Sequence, residues 1–314
     1  MNSLFITPHP SFTLRAPAKI NWTLYVLNKR EDGYHNILSL MHCVNLYDTL
    51  IFEHASGIEL IASMDIPIEQ NLVYKAAVIL KEYTGTKAGA KIVLKKEIPS
   101  GAGLGGGSSD AACALTGLNR LWRLGLPADE LKTIGSRIGS DVPFFVNYYS
   151  DTCCPLAVVE SRGEALTPLK IDKSSTLLLV KPSISISTAW AYEKISLNRT
   201  PHFFQKVRGQ DSKKLTKTRD KINNIKLIYN ALKTGDMSFV NARIHNDFEG
   251  AVIEEYPVIG SLKEELLNVG ASMAIMSGSG STVFGLFDNR DKAVSASRKF
   301  SSYWNRVVET IISS

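Results

Sequence analysis

The chain has 314 residues, 44% of them hydrophobic and 21% charged, with 36 Lys and Arg against 30 Asp and Glu. That balance supplies ample apolar surface for a core and excludes a disordered tail, a collagen-like repeat and a coiled coil; the length suits two domains. No apolar run approaches the roughly 18 residues of a membrane span, and Met1 to Phe12 has neither a basic nor an apolar stretch, so neither a bilayer crossing nor a secretory signal is expected. Cys43, Cys113, Cys153 and Cys154 show no C-x-x-C spacing, and the vicinal pair is a poor disulfide candidate, which predicts a reducing, cytoplasmic setting. The net charge of +6 is local: residues 199–226 hold nine basic and two acidic residues, leaving a net −1 elsewhere. This stretch reads as a solvated connection, with a site for an anionic partner as the alternative.

In chain order, Phe12 to Leu27 predicts extended chain, and Thr49–Phe52, Ile58–Ala62 and Lys91–Lys95 predict further strands. Leu72, Ala76, Ile79, Leu80 and Tyr83 recur at helical spacing, with Gly85 as a C-cap. A glycine-rich loop at 100–107 leads into a helix over Ser108–Leu124, and a further helix runs from Pro127 to near Gly139. Residues 148–172 predict strand and loop. Leu177–Val180 predicts a strand, Ser187–Ile195 a helix, and Ile222–Leu232, Met237–Ile244 and Val258–Leu267 carry helical patterns. Thr282–Phe287 predicts a strand and Asp291–Tyr303 a closing helix. Strands and helices without regular βαβ alternation predict an α+β class with two domains.

The most informative stretch is Pro99-Ser-Gly-Ala-Gly-Leu-Gly-Gly-Gly-Ser-Ser-Asp-Ala-Ala112. Five glycines in seven residues allow left-handed backbone and close approach to a ligand, and the following helix offers unpaired N–H groups to an anion such as phosphate. Gly101, Gly103 and Gly106 match G-x-G-x-x-G, but the segment after the helix is another helix where a dinucleotide-binding unit needs a strand. A Walker A loop needs Lys-Ser or Lys-Thr after its last glycine, and Gly107-Ser108 stands there; H-R-D and D-F-G signatures of protein kinases are absent from the sequence. A phosphate loop of another class remains.

Pro99 to Ala112 resembles the second signature of the GHMP kinases, small-molecule kinases that phosphorylate alcohols. Ala16-Pro-Ala-Lys-Ile-Asn21, Lys29 to His35 with Ser39-Leu-Met41, Gly139-Ser-Asp-Val-Pro-Phe-Phe145 and Met276-Ser-Gly-Ser-Gly-Ser-Thr282 resemble further motifs of the branch that phosphorylates 4-diphosphocytidyl-2-C-methyl-D-erythritol. The resemblance implies a two-domain GHMP kinase fold. Residues 1–170 would form a ribosomal protein S5 domain 2-like N-terminal domain holding ATP, and 171–314 a ferredoxin-like C-terminal domain. It implies ATP-dependent transfer to the 2-hydroxyl of that substrate, in the non-mevalonate route to isoprenoid precursors, by a cytoplasmic monomer or homodimer with no nucleic-acid or membrane partner.

Such transfer needs the polyphosphate held, developing charge neutralised, and the attacking hydroxyl oriented and relieved of its proton. By resemblance, Asp141 takes or orients the hydroxyl proton and Lys19 stabilises the charge. The loop Pro99, Ser100, Gly101, Ala102, Gly103, Leu104, Gly105, Gly106, Gly107, Ser108 and Ser109 holds ATP. Asn71 reaches the nucleoside or serves only as a helix cap, and Lys95 or Lys96 either approaches the nucleotide or lies on a solvated strand face. Gly278 to Ser281 packs near the loop. Asn21, Tyr34 and His35 belong to the cytidyl pocket, His35 through its ring nitrogens and Tyr34 by stacking, with Thr188 and Tyr192 closing its other side. Met41 stands where the family often has an aromatic residue. Mg²⁺ should accompany ATP; no carboxylate cluster is evident for it, and Ser108 or Ser109 supplies one oxygen. The rival readings are a GHMP kinase with mevalonate or homoserine as acceptor, disfavoured by Lys29 to His35, and a non-catalytic protein binding nucleic acid through 199–226.

Overall fold

The computed structural model describes residues 11–63, 66–150, 153–197 and 218–313. The basic stretch therefore falls largely outside the described residues, only 218–226 being inside them. Two long strands lead the chain: β1 (Phe12–Lys29) and β2 (His35–Ala55), of 18 and 21 residues. Strands of that length run some 60–70 Å, and each contributes to both of the two compact units. The first unit comprises the described parts of Met1–Ala18, Leu46–Ile98 and Gly105–Cys153; the second comprises Lys19–Asn45, Pro99–Leu104 and Cys154–Ser314. These units interleave along the sequence.

In the first unit, residues 46–52 of β2 bury every second side chain, Leu46, Asp48, Leu50 and Phe52, the period-2 signature of a half-buried strand. β3 (Ile58–Ala62) pairs parallel with β4 (Gly89–Lys95), which pairs antiparallel with β2 in the register Leu50↔Leu94 and Phe52↔Ile92. Four α-helices complete the described part of this unit: α1 (Leu72–Thr84), α2 (Gly106–Leu121), α3 (Ala128–Gly135) and α4 (Val142–Tyr148). Asn71 starts α1 by accepting the Val73 N–H at 2.9 Å, and Gly85 ends it at φ 67°, the C-cap the sequence predicted. Helix α2 lies so close to the strands that a Cβ on Gly117 would stand 2.3 Å from the Phe52 ring.

In the second unit, β1 and β2 are neighbours joined by the Arg30–Tyr34 turn. β2 pairs antiparallel with β5 (Leu156–Ser161), and β5 with β6 (Ala165–Leu169). Beyond them follow β7 (Thr176–Lys181), α5 (Thr188–Leu197), α6 (Thr218–Thr234), α7 (Met237–Asn241), β8 (His245–Asn246), α8 (Glu249–Glu255), α9 (Pro257–Asn268), β9 (Met273–Met276), β10 (Val283–Phe287), α10 (Arg290–Ser297) and β11 (Trp304–Glu309). β8 adds parallel to β1 at Thr23↔His245, and a separate antiparallel sheet has the order β11-β7-β10-β9. Its core gathers Leu178, Val180, Val283 and Met276 of the sheet with Phe248, Val252, Ile259, Leu262 and Leu266 of the helices.

Several elements depart from the sequence reading. β2 starts at His35 and not Thr49, because residues 37–44 are buried on both strand faces and show no alternation. β9 is likewise buried at all four positions. The closing helix stops at Ser297, and β11 follows, its Asn305 and Arg306 disguising a half-buried edge. Among the described residues no helix is long and apolar enough to cross a membrane, and Cys113 and Cys153 are free thiols.

Candidate active site

The glycine loop is divided between the units: Pro99–Leu104 belongs to the second and Gly105 onward to the first. In the second unit, Lys19 on β1 is 3% exposed. Its backbone N–H donates to the Leu104 carbonyl at 3.0 Å, and its Nζ donates to the Gly103 carbonyl at 2.9 Å and to Asn21 Oδ1 at 2.7 Å. Asn21 in turn donates to Ser39 Oγ, which donates to the Thr23 carbonyl. The sequence placed Asn21 in the acceptor pocket; its carboxamide is engaged in holding Lys19.

The turn at 276–282 packs on the same half-loop. Thr282 N–H donates to the Ala102 carbonyl and Ser277 Oγ to the Gly103 carbonyl. Gly103, at φ 72°, has its Cβ position only 2.1 Å from the Ser277 carbonyl oxygen, and that of Gly278, at φ 57°, lies 3.1 Å from Lys19 Nζ. Only glycines permit this double turn. Gly101, also left-handed, lies against Ser185, while Ser100 is exposed and Pro99 half-buried.

In the first unit, Gly105 is the N-cap of α2 at φ 71° and has no side chain to cap it, so the 16-residue helix presents its first N–H groups at Gly106, Gly107 and Ser108 without a side-chain cap. Ser109 donates its N–H to the Gly105 carbonyl, and its Oγ is buried without a protein partner. Ser108 lies beside Gly139, whose Cβ position is 3.6 Å from Ser108 Oγ, and so beside the turn that carries Asp141. Asp141 occupies the N-cap position of α4, yet its carboxylate does not cap that helix. Asn71 is 6% exposed and serves as the α1 cap.

Beneath the start of α2 lies a cluster that sequence reading missed. Lys96 Nζ donates to Asp48 and, at 2.7 Å, to Asp110 Oδ2; Asp48 Oδ1 also accepts the N–H groups of Glu97 and Ile98. Burial raises the pKa of the Asp110 carboxyl, with the neighbouring Asp48 adding to the shift and Lys96 opposing it. Burial works against the Lys96 ammonium, but the carboxylates of Asp110 and Asp48 more than offset this and raise its pKa. The alternation of Asp48 with Leu46 and Leu50 was the only signal that a carboxylate here points inward.

The residues expected to receive the acceptor lie in the second unit. His35 stacks on Tyr192 of α5, with centroids 4.9 Å apart and planes inclined by 14°, and Tyr192 meets Phe248 edge-on. Thr188 Oγ1 is 3.0 Å from Ser279 Oγ, tying the start of α5 to the second glycine turn. Tyr34 is half exposed, and Met41 is buried.

Models of the GHMP kinases N terminal domain and the GHMP kinases C terminal region match residues 71–147 and 227–306. The 4-diphosphocytidyl-2-C-methyl-D-erythritol kinase of Thermodesulfovibrio yellowstonii is 50% identical over 96% of this chain and 98% of its own. The chain belongs to the GHMP kinases. The enzyme of the same name from Syntrophotalea carbinolica is 38% identical over 91% of this chain and 93% of its own. Among solved GHMP kinase structures, that of a 4-(cytidine 5'-diphospho)-2C-methyl-D-erythritol kinase superposes with a TM-score of 0.76 at 30% identity, covering 95% of this chain and 99% of that one. Homoserine kinase from Cytophaga hutchinsonii shares the fold at 17% identity and a TM-score of 0.69, covering 99% of this chain and 98% of its own.

Proposed function

We propose that this GHMP kinase transfers the γ-phosphoryl group of ATP to the 2-hydroxyl of 4-diphosphocytidyl-2-C-methyl-D-erythritol, a step in the non-mevalonate route to isoprenoid precursors. The geometric observation that carries the chemistry is the placement of Ser108, in the first turn of α2, against Gly139 in the turn leading to Asp141. A phosphate bound at uncapped helix N–H groups is thereby neighbour to a carboxylate on a short, rigid turn. The substrate class is supported by similarity over more than nine-tenths of the chain, at 50% and 38% identity, to kinases named for this substrate.

The residues divide the work as follows. N–H groups from Gly105 to Ser108 and the glycine backbone from Gly101 to Gly103 bind the phosphates, with Pro99, Ser100, Ala102 and Leu104 shaping the loop and the Ser109 hydroxyl facing the helix start. Asp141 accepts the proton of the attacking hydroxyl, or holds the hydroxyl in line. Lys19 supplies positive charge where negative charge develops. His35, Tyr34, Thr188 and Tyr192 receive the cytidyl group. Asn21 holds Lys19, and Asn71 secures the start of α1. Mg²⁺, when bound, shields the phosphate oxygens. The hydroxyls of Ser108 and Ser109, the latter buried and without a protein partner, are the donors present at the helix start. No group of three or more His, Cys, Asp or Glu suited to a metal occurs among the described residues, and the ion would be held at these hydroxyls together with the phosphates it shields. We place the protein in the cytoplasm, as a monomer or homodimer, with residues 1–170 and 171–314 as its N- and C-terminal family domains.

Mass spectrometry of the products tests this reading. ADP and a cytidyl product heavier by one phosphate, with the phosphate on the 2-hydroxyl, are expected; ATP consumed with the cytidyl compound unchanged contradicts it.

A further inference from the structure

Tyr34 is 52% exposed although it closes the tight β1–β2 turn, and one face of its ring is covered by the Arg162 guanidinium, 4.8 Å from the ring centroid. Arg162 comes from the β5–β6 turn, which is built with unusual care for a surface feature. Ser161 sits at φ 62°, a conformation that a residue with a Cβ rarely adopts. Glu164 holds the turn by accepting from Ser161 Oγ at 2.8 Å and from the Arg162 N–H at 2.9 Å. The two turns are fastened together, because Arg30 Nη1 donates to Ser161 Oγ at 3.0 Å while Arg30 also pairs with Asp32, which accepts the Tyr34 N–H. By contrast, the ion pair between Arg162 Nε and Glu164 is loose, at 3.8 Å. The organised partner of the guanidinium is the ring.

Planar guanidinium stacks well on aromatic faces, and a cation on one face of a ring holds it in place while leaving the opposite face open for stacking. We propose that Arg162 is a positioning residue for the cytidyl substrate: it braces Tyr34 from behind, so that the opposite ring face is the platform on which the base stacks. The proposal rests on the substrate reading above and adds to it a residue outside the resembling motifs.

Steady-state kinetics with Arg162→Gln, Arg162→Lys and Tyr34→Leu, singly and combined, tests it. Arg162→Gln should raise KM for the cytidyl substrate about three- to tenfold, with kcat and KM for ATP unchanged. Arg162→Lys, which keeps charge but loses the plane, should recover part of the loss. In the Tyr34→Leu background, Arg162→Gln should change nothing further. A wild-type KM in Arg162→Gln, a parallel fall in kcat, or an undiminished effect in the Tyr34→Leu background overturns the proposal. A wild-type protein that does not use the cytidyl substrate overturns the substrate reading along with it.

Discussion

Lys19 Nζ donates to the Gly103 carbonyl at 2.9 Å across 84 residues of sequence, while the Lys19 N–H holds the neighbouring Leu104 carbonyl. A single strand residue thus fixes the glycine loop through its backbone and aims an ammonium through its side chain. Gly103 and Asn21 are neutral acceptors that orient the ammonium.

Lys19→Gln removes the charge and leaves the Gly103 carbonyl without this donor. It should lower kcat by about 10²–10³-fold and cost about 1–3 kcal/mol of stability. Steady-state assays and urea unfolding measure the two effects separately; wild-type kcat with reduced stability would restrict Lys19 to a structural part.

Gly103→Ala should be severe. Its Cβ would lie 2.1 Å from the Ser277 carbonyl oxygen, a backbone atom that cannot swing aside, at a φ of 72° that alanine resists. We expect a loss of about 3 kcal/mol or more and a marked rise in KM for ATP, read from thermal melts and nucleotide titration. Gly125→Ala is a useful control: the same sign of φ but nothing within 4 Å of the added methyl.

His42 gives the protein an acid limit. It accepts from the Trp22 indole through Nδ1 at 3.1 Å, which leaves Nε2, 2.8 Å from the Ile311 carbonyl, to carry the proton and pin the C-terminal stretch. Burial pushes its pKa down to about 4 from the ordinary 6.5. The unfolded chain therefore binds a proton that the folded one refuses. Stability is fully present above pH 6.5 and declines as the pH falls toward 4, by about 3 kcal/mol over that window. Denaturation curves at stepped pH should show this decline, and in His42→Gln that limb should flatten while stability at pH 7 drops. A limb unchanged in His42→Gln would assign it to other groups.

Asp141→Asn keeps the size of the side chain and removes its basicity. Turnover should fall by about 10²–10⁴-fold, while ATP affinity measured by calorimetry stays close to wild type. Comparable losses in both would mean that Asp141 shapes the nucleotide site instead.

Much of this was legible in the sequence because local rules were strong. The cap at Asn71 and Gly85, the Ile58–Ala62 strand and the glycine turn into α2 each follow from residues within a few positions. The early start of β2 and the whole of β9 were hidden because strands buried on both faces show no period. The Lys96–Asp48–Asp110 cluster was hidden for another reason: it joins the residue just after β4 to positions on β2 and α2, and their meeting depends on the fold and not on spacing. The contact of Asn21 with Lys19 was hidden as well, since it appears only once β1 places the two side chains on the same face.

ADP release in a coupled assay, with 4-diphosphocytidyl-2-C-methyl-D-erythritol, mevalonate and homoserine offered separately to the same protein, decides which acceptor the enzyme uses. Release with the cytidyl compound alone is the predicted result. Release with mevalonate or homoserine, and none with the cytidyl compound, would contradict it.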